Sequence, residues 1–321
     1  MTELYRTTHA CLVAVISSKI RTVAALGLPV LFAVTLLLAS CGRSTPQGVA
    51  TYKKALVHDA PLNDTISAGD RAVSAKDYSG AMREYQKASN DKDPNVQASA
   101  FNRIGELYES GLGVAQDHAE SVKWFKKAAL LGNAYGEANL GNCLFFGMGM
   151  NRDLLEAERW AEKAAEQGIA MSMNQLGWQH LYGVGVMQDP GQAREWYERS
   201  AALGDSTGEL MLGWIFVHVA PMDYAQGMSW YKKAADQGDE GAQNNIGYLY
   251  ENGLGVAKDY GEAARWYQMS ADAGYPRALF HLGYLYDQGL GVEMDKALAQ
   301  KLIRKSADSG DAEAARWLSA H

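Results

Sequence analysis

Apolar and small residues along this chain recur at helical spacing, and the recurrence itself repeats. An aliphatic residue followed by glycine returns at Gly105, Gly141, Gly177, Gly213, Gly247 and Gly283, spaced 36, 36, 36, 34 and 36 residues apart. Each period predicts two helices. Helix A runs from a small residue (Ala100, Gly136, Ser172, Gly208, Ala242, Ala278) to the glycine pair, and positions without bulk let a neighbouring helix approach closely. A loop with paired glycines follows, as in Gly111/Gly113 and Gly253/Gly255. An aspartate then stands where helix B begins, at 117, 153, 189, 223, 259 and 295, and is a natural N-cap. Asp189–Pro190 also puts proline at the first helical position, where its missing N–H costs nothing. Helix B carries Trp124, Trp160, Trp196, Trp230 and Trp266, with Leu302 as the sixth, and ends at a glycine. A fixed period in the mid-thirties with helical patterning means stacked helix pairs, not one closed globule.

The flanks differ. Residues 65–97, with Asp77–Tyr78, Ala81, Tyr85 and Ala88, predict an N-terminal helical cap over the first repeat. Residues 312–321 begin one more helix A, holding Trp317, and form a C-terminal cap. Residues 22–39 are apolar and uncharged behind Lys19 and Arg21, and their length sits at the threshold between a signal and a membrane span. Residues 42–64, with Ser44, Pro46, Gly48, Pro61 and Asn63, read as a tether.

The repeat unit is spelled by Ala242, Ile246–Gly247, Tyr250, a G-x-G-V-x-x-D turn from Gly253 to Asp259, Trp266–Tyr267, Ser270–Ala271 and Gly274. It resembles the Sel-one-like repeat (SLR), a cousin of the tetratricopeptide repeat, and recurs six times over residues 98–311. The resemblance implies an all-α, right-handed superhelical α/α solenoid of six SLR units with helical caps at both ends. It also implies a non-catalytic binding scaffold. Leu38–Ala39–Ser40–Cys41 resembles the bacterial lipobox. By that resemblance residues 1–40 are a lipoprotein signal peptide, cleavage precedes Cys41, and residues 41–64 comprise the lipidated cysteine and its tether. The mature chain would be held in the bacterial envelope facing the periplasm, and Gly42 in place of Asp implies the outer membrane. Two or more acyl chains anchor stably where one does not. An uncleaved helix that ends at a cysteine is the other reading of the same run.

Charge and chemistry narrow the function. Without residues 1–40, which hold Glu3, Arg6, Lys19 and Arg21, the body has 27 Lys+Arg against 36 Asp+Glu, a net charge of −9. Such a body disfavours nucleic acid, whose binding needs clustered cations. Three cysteines, Cys11, Cys41 and Cys143, exclude a disulfide framework. The G-x-G-V loops follow helices rather than strands and lack a third glycine, which rules out a dinucleotide cradle. Histidines 58, 118, 180, 218, 281 and 321 share no metal-like spacing. His180 occupies the position of Tyr108 and Tyr250 and is expected as a hydrogen-bonded core residue; Cys143, aligned with Leu107, is expected as a buried hydrophobe. No nucleophile elbow or carboxylate pair is present, so neither an enzyme nor a cofactor is expected.

The informative positions lie on helix A. In tetratricopeptide relatives the residue three before the glycine and the one after it face the inside of the superhelix. Here those pairs run from Asn102/Glu106 and Ala138/Asn142 to Asn174/Trp178, Leu210/Trp214, Asn244/Tyr248 and Phe280/Tyr284. They hold no Lys or Arg, so no clamp for a C-terminal carboxylate is built. Trp178 and Trp214 also fall outside the helix-B signature. Asn174, Trp178, Leu210, Trp214, Asn244, Tyr248, Phe280 and Tyr284 are therefore expected to bind a protein or peptide partner. The competing reading packs the rings against the next helix A. Repeat 4 has ten residues from Gly213 to Asp223 where its neighbours have twelve, which would bend the stack or merely trim a loop. The expected function is a monomeric, protein-binding scaffold or adaptor. The alternative, by family analogy, is an immunity protein neutralising a periplasm-targeted lipase-type toxin.

Overall fold

A computed structural model describes residues 64–219 and 221–321. The expected signal peptide, Cys41 and the expected tether up to residue 63 lie outside the described residues. Fifteen helices and no strand occur among the described residues. They are α1 Asp64–Ser74, α2 Tyr78–Ala88, α3 Pro94–Ser110, α4 His118–Leu130, α5 Ala134–Phe146, α6 Leu154–Glu166, α7 Ala170–Tyr182 and α8 Pro190–Ala202. Then come α9 Ser206–His218, α10 Tyr224–Asp236, α11 Glu240–Asn252, α12 Tyr260–Asp272, α13 Pro276–Gln288, α14 Lys296–Asp308 and α15 Ala312–Ala320. Odd-numbered helices from α3 to α13 are the helices A, and even-numbered helices from α4 to α14 are the helices B. The alternation is the all-α helical-pair architecture that the period predicts. None of these helices is long and apolar enough to cross a membrane.

The chain divides into two compact units within α4, after Trp124. In the first, α1 and α2 cap α3. Their core is Ile66, Ala81, Met82, Tyr85, Ala88, Ala100, Ile104 and Leu107. A buried polar knot joins the cap to the first helix A. The Tyr85 hydroxyl donates to Asp70 at 2.6 Å, and the Arg103 guanidinium lies 3.2 Å from the same carboxylate. Arg103 is 3% exposed and also lies 3.5 Å from Glu106, so its buried charge is shared between two carboxylates.

The second unit, residues 125–321, stacks five A–B hairpins and ends in α15. Each helix B starts where its aspartate caps it: Asp153 accepts from Glu156 N, Asp223 from Gln226 N, and Asp295 from Leu298 N, at 2.9–3.0 Å. Helices A end in left-handed glycines such as Gly253 (φ 67°), whose N–H returns to Leu249 O. Repeat 4 lacks that glycine, and α9 closes through extended Val219 instead. Its loop nonetheless ends in the same backbone bond as its neighbours. Asp223 N reaches Phe216 O at 2.8 Å, as Asp189 N reaches His180 O at 2.8 Å. The two-residue deletion is absorbed in the loop.

Packing within a hairpin turns on the helix-A glycine. Gly177, Gly213 and Gly247 lie on the rings of Tyr197, Tyr231 and Tyr267, each ring at most 1% exposed. A Cβ at Gly247 would sit 2.7 Å from the Tyr267 ring, and one at Gly177 2.8 Å from Tyr197. Ile303 replaces the ring under Gly283. Where helix B offers only Ala161, Gly141 rests on the helix backbone, with Ala157 O 3.3 Å from a would-be Cβ. The small residue earlier in helix A makes the matching contact with the preceding helix B: a Cβ at Gly208 would lie 2.8 Å from Ala201 N. Helix A is thus clamped on two sides.

Gly247→Ala is expected to cost about 1–3 kcal/mol by overpacking against Tyr267, read as a lower urea midpoint. Gly204→Ala, where φ is 76° but nothing lies within 4 Å of the new Cβ, should cost only about 1 kcal/mol.

Candidate functional site

Two sides of each helix A are taken by helices B, and the remaining stripe carries the expected partner-binding residues. In repeats 4–6 the structure separates the members of each pair. Leu210 (1% exposed), Asn244 (4%) and Phe280 (7%) are buried, and Asn174 is half-buried. Four residues on a helix advance the side-chain direction by about 40° beyond a full turn, which leans the first member toward its neighbours and leaves the second outside. Phe280 accordingly packs with Ile303, Ala314 and Trp317. The expectation that Leu210, Asn244 and Phe280 face a partner is corrected: they lie beneath the surface. Trp178 and Trp214 are half-buried, and Tyr248 (41%) and Tyr284 (36%) are exposed.

The rings touch one another across repeats. Phe145 meets Trp178 edge-on at 5.9 Å, Trp178 lies 5.4 Å from Tyr182, Tyr182 6.5 Å from Trp214, and Trp214 stacks on His218 at 4.7 Å. These are favourable aromatic geometries. Burial pushes the Tyr182 phenol up to about 12 and lowers the His218 imidazole, whose Nδ1 sits 3.0 Å from Trp214 O. Both readings of the stripe therefore describe part of it: the rings pack along the helices A, and each keeps an outer edge. Tyr182 and His218 were not among the expected residues. Their signal was an aromatic ring five residues after the glycine in repeats 2–4, at Phe146, Tyr182 and His218.

Polar groups on the same face are incompletely matched. On α7, Asn174 Nδ2 donates to Asp205 at 2.7 Å, while Gln175 Nε2, Trp178 Nε1, Gln179 Oε1 and His180 Nδ1 have no hydrogen-bond partner in the protein. His180 is buried as expected (8%), but its Nδ1 is unpaired. Asn244 Oδ1 on α11 also lacks a donor. Cys143, 1% exposed, is a core thiol.

The N-terminal edge is acidic at α9 and α11, whereas α5, α7 and α13 follow Asn133, Ile169 and Tyr275. Asp205 caps α9 through Gly208 N at 2.9 Å, and Asp239 caps α11 through Ala242 N at 2.7 Å. Repeat 4 has Leu210 where repeat 3 has Asn174. Burial pushes the Asp239 carboxyl up to about 7, with Glu240 and Asp205 adding to the rise and the Ala242 and Gly241 N–H groups opposing it. One repeat on, the Tyr275 phenol is raised by burial, and Asp239, Glu240 and Asp311 add to it. Among the described residues no group of His, Cys, Asp and Glu is placed to hold a metal ion.

Comparison with known proteins matches this geometry. A model described as the Sel1 repeat matches residues 98–133, 134–169, 170–205, 218–239, 241–275 and 276–311. The solved structure of c5321, a protective antigen of uropathogenic Escherichia coli strains displaying an SLR fold, is 36% identical over 78% of this chain, with a TM-score of 0.65. The match covers 54% of that antigen, so this chain spans about half its length. A Sel1 repeat protein from Oxalobacter formigenes is 29% identical over 76% of this chain and 97% of its own, at a TM-score of 0.68. An immunity protein, Pa5087 from Pseudomonas aeruginosa, is 22% identical over 70% of this chain and 85% of its own, at a TM-score of 0.44; a likeness that loose carries no functional conclusion. A search of curated proteins finds no match.

The Asp239 carboxyl predicts a pH signature. It ionises near 3.8 when unfolded and near 7 when folded, so the folded chain binds the extra proton in that window. The contribution therefore destabilises progressively as pH rises through it. Asp239→Asn keeps the cap and should raise Tm at pH 8 by about 2–4 °C, with no gain at pH 4. An equal gain at both pH values, read by calorimetry, would contradict the assignment.

Proposed function

The chain belongs to the Sel1 repeat family, and on that footing we propose that it is a non-catalytic scaffold holding a protein or peptide partner against the helix-A face of repeats 3–6. One observation carries the reading. Trp178, Trp214, Tyr248 and Tyr284 occupy the same register position in successive repeats, and all four keep solvent-facing surface where the neighbouring positions are buried. Large, rigid aromatics at a regular spacing are the residue types that dominate interface energetics. Leu210, Asn244 and Phe280 form the floor beneath them, and Asn174 the margin toward Asp205.

The scaffold is proposed to stand at a membrane. Residues 1–40 would direct export, and Cys41 would carry the acyl chains that hold the body in the periplasm of a bacterial envelope, at the outer membrane. The support is the run Leu38–Ala39–Ser40–Cys41 behind an apolar segment and two positive residues. Cys41→Ser should abolish labelling by an alkynyl fatty acid and move the protein out of the membrane pellet. Undiminished labelling would place the acyl chain on another residue, and an unlabelled parent would mean there is none.

The binding role is tested by capture from envelope extract with the full-length chain in mild detergent. Trp178→Ala with Trp214→Ala should lower capture at least about tenfold, since anchor truncations commonly cost 2 kcal/mol or more. It should also lower Tm, because these rings pack on Phe145 and Tyr182. Tyr248→Ala with Tyr284→Ala separates the two effects: both rings are exposed, so stability should change by less than about 0.5 kcal/mol each while capture still falls. Full capture by the tyrosine variant would mark the face as structural.

A further inference from the structure

Charge is segregated between the two helices of each hairpin in residues 125–321. Helices B (α6, α8, α10, α12, α14) carry eleven Lys and Arg, whereas helices A (α5, α7, α9, α11, α13) carry one, Arg277. That single cation is 3.0 Å from Glu313. The consequence shows at the tryptophans. On three helices B the tryptophan ring is covered by a cation three residues on: Lys163 lies 4.1 Å from the Trp160 centroid, Arg199 4.4 Å from Trp196, and Lys233 3.7 Å from Trp230, while Trp266 has Arg265 at 5.8 Å. No Lys or Arg on the helices A can do the same for Trp178, Trp214, Tyr248 or Tyr284. Their outer edges and faces are left for something else.

The surroundings favour a positive guest. Asp205, Asp239 and Glu240 line the N-terminal edge of α9 and α11, next to the stripe that Asn174 joins to Asp205. Asn244, 4% exposed, has an Oδ1 without a donor one helical turn before Tyr248. Asp239 is raised first by burial, and Glu240 and Asp205 add to the rise. An aromatic row beside carboxylates is complementary to ammonium and guanidinium groups, through cation–π and ionic contacts together. It repels an acidic segment, a terminal carboxylate or an anionic lipid surface. A second copy of this chain fits poorly, because its body is itself acidic.

Deepening the scaffold reading and resting on it, we propose that the partner segment seated on the helix-A face of repeats 3–6 is cationic. It is a Lys- and Arg-rich stretch of protein whose charged ends lie over Trp178, Trp214, Tyr248 and Tyr284 and reach Asp205, Asp239 and Glu240.

The test is selection from an unbiased library of displayed peptides about 12 residues long, against the full-length chain in detergent. The enriched pool should be net positive by about three charges relative to the input, and its binding should weaken about tenfold from 50 to 300 mM NaCl. The variant Asp205→Asn, Asp239→Asn, Glu240→Gln keeps both caps; it should retain helicity and weaken the enriched peptides about tenfold. An enriched pool that is neutral or acidic, yet lost on Tyr248→Ala with Tyr284→Ala, would overturn this inference and leave the scaffold reading standing. Cationic peptides that bind the neutralised and tyrosine variants as well as the parent would overturn it by placing the site elsewhere. Failure to enrich any peptide that depends on the rings would overturn both readings.

Discussion

A glycine seated on a ring is the contact on which the rest of this molecule depends. Gly177, Gly213 and Gly247 let helix A descend onto Tyr197, Tyr231 and Tyr267, and no other residue leaves room for those rings at that distance. The tyrosines are consequently among the most buried side chains of the chain. In repeat 5 the hydroxyl is served at the margin, where Tyr267 donates to Glu251 at 2.6 Å. That same carboxylate lies 3.9 Å from His281 Nδ1, and His281 stacks on the Tyr267 ring at 4.9 Å. Burial, with Arg277 adding to it, holds the imidazole down to about 4, so His281 is neutral at ordinary pH. A single backbone approach thereby sets the burial, and through it the protonation, of the groups around it.

The same clamp creates the surface to which a function can be attached. Small residues hold helix A to the helix B before it, and the glycine holds it to the helix B after it. Only one stripe of helix A is then free, and it recurs at each repeat. In repeats 2–4 the chain fills that stripe with rings in mutual contact, and in repeats 5 and 6 with tyrosines that stand more open. Positive charge is kept on the other helices. A repeat architecture in which each unit contacts only its neighbours can tolerate such variation along one face, because substitution there leaves the clamps intact.

Much of this was legible in the sequence because it is local. The aspartate caps, the loop glycines and the small clamp positions each act within a few residues of themselves, so a fixed period exposed them. Leu210, Asn244 and Phe280 were misplaced because an i,i+4 pair was read as sharing one face. The small rotation between its members decides burial when a helix is flanked on both sides, and that rotation is invisible without the neighbours. The ring contacts through Tyr182 and His218 required knowing how far apart successive helices A lie. The unpaired His180 Nδ1 was hidden for a similar reason: alignment with Tyr108 and Tyr250 predicts burial but supplies no hydrogen-bond partner. The two-residue deletion in repeat 4 read as a bend or a trimmed loop, and the Asp223–Phe216 bond identifies it as trimming.

The central claim is that the helix-A face, and not the helix-B face, meets the partner. Site-specific photo-crosslinking in living cells tests it most directly, with the photoreactive residue at Tyr248 on helix A or at Met269 on helix B. Both are 41% exposed, so the comparison holds accessibility constant. The account predicts a discrete crosslinked protein from position 248 and none from position 269. Crosslinks from 269 alone, or from neither position, would contradict it.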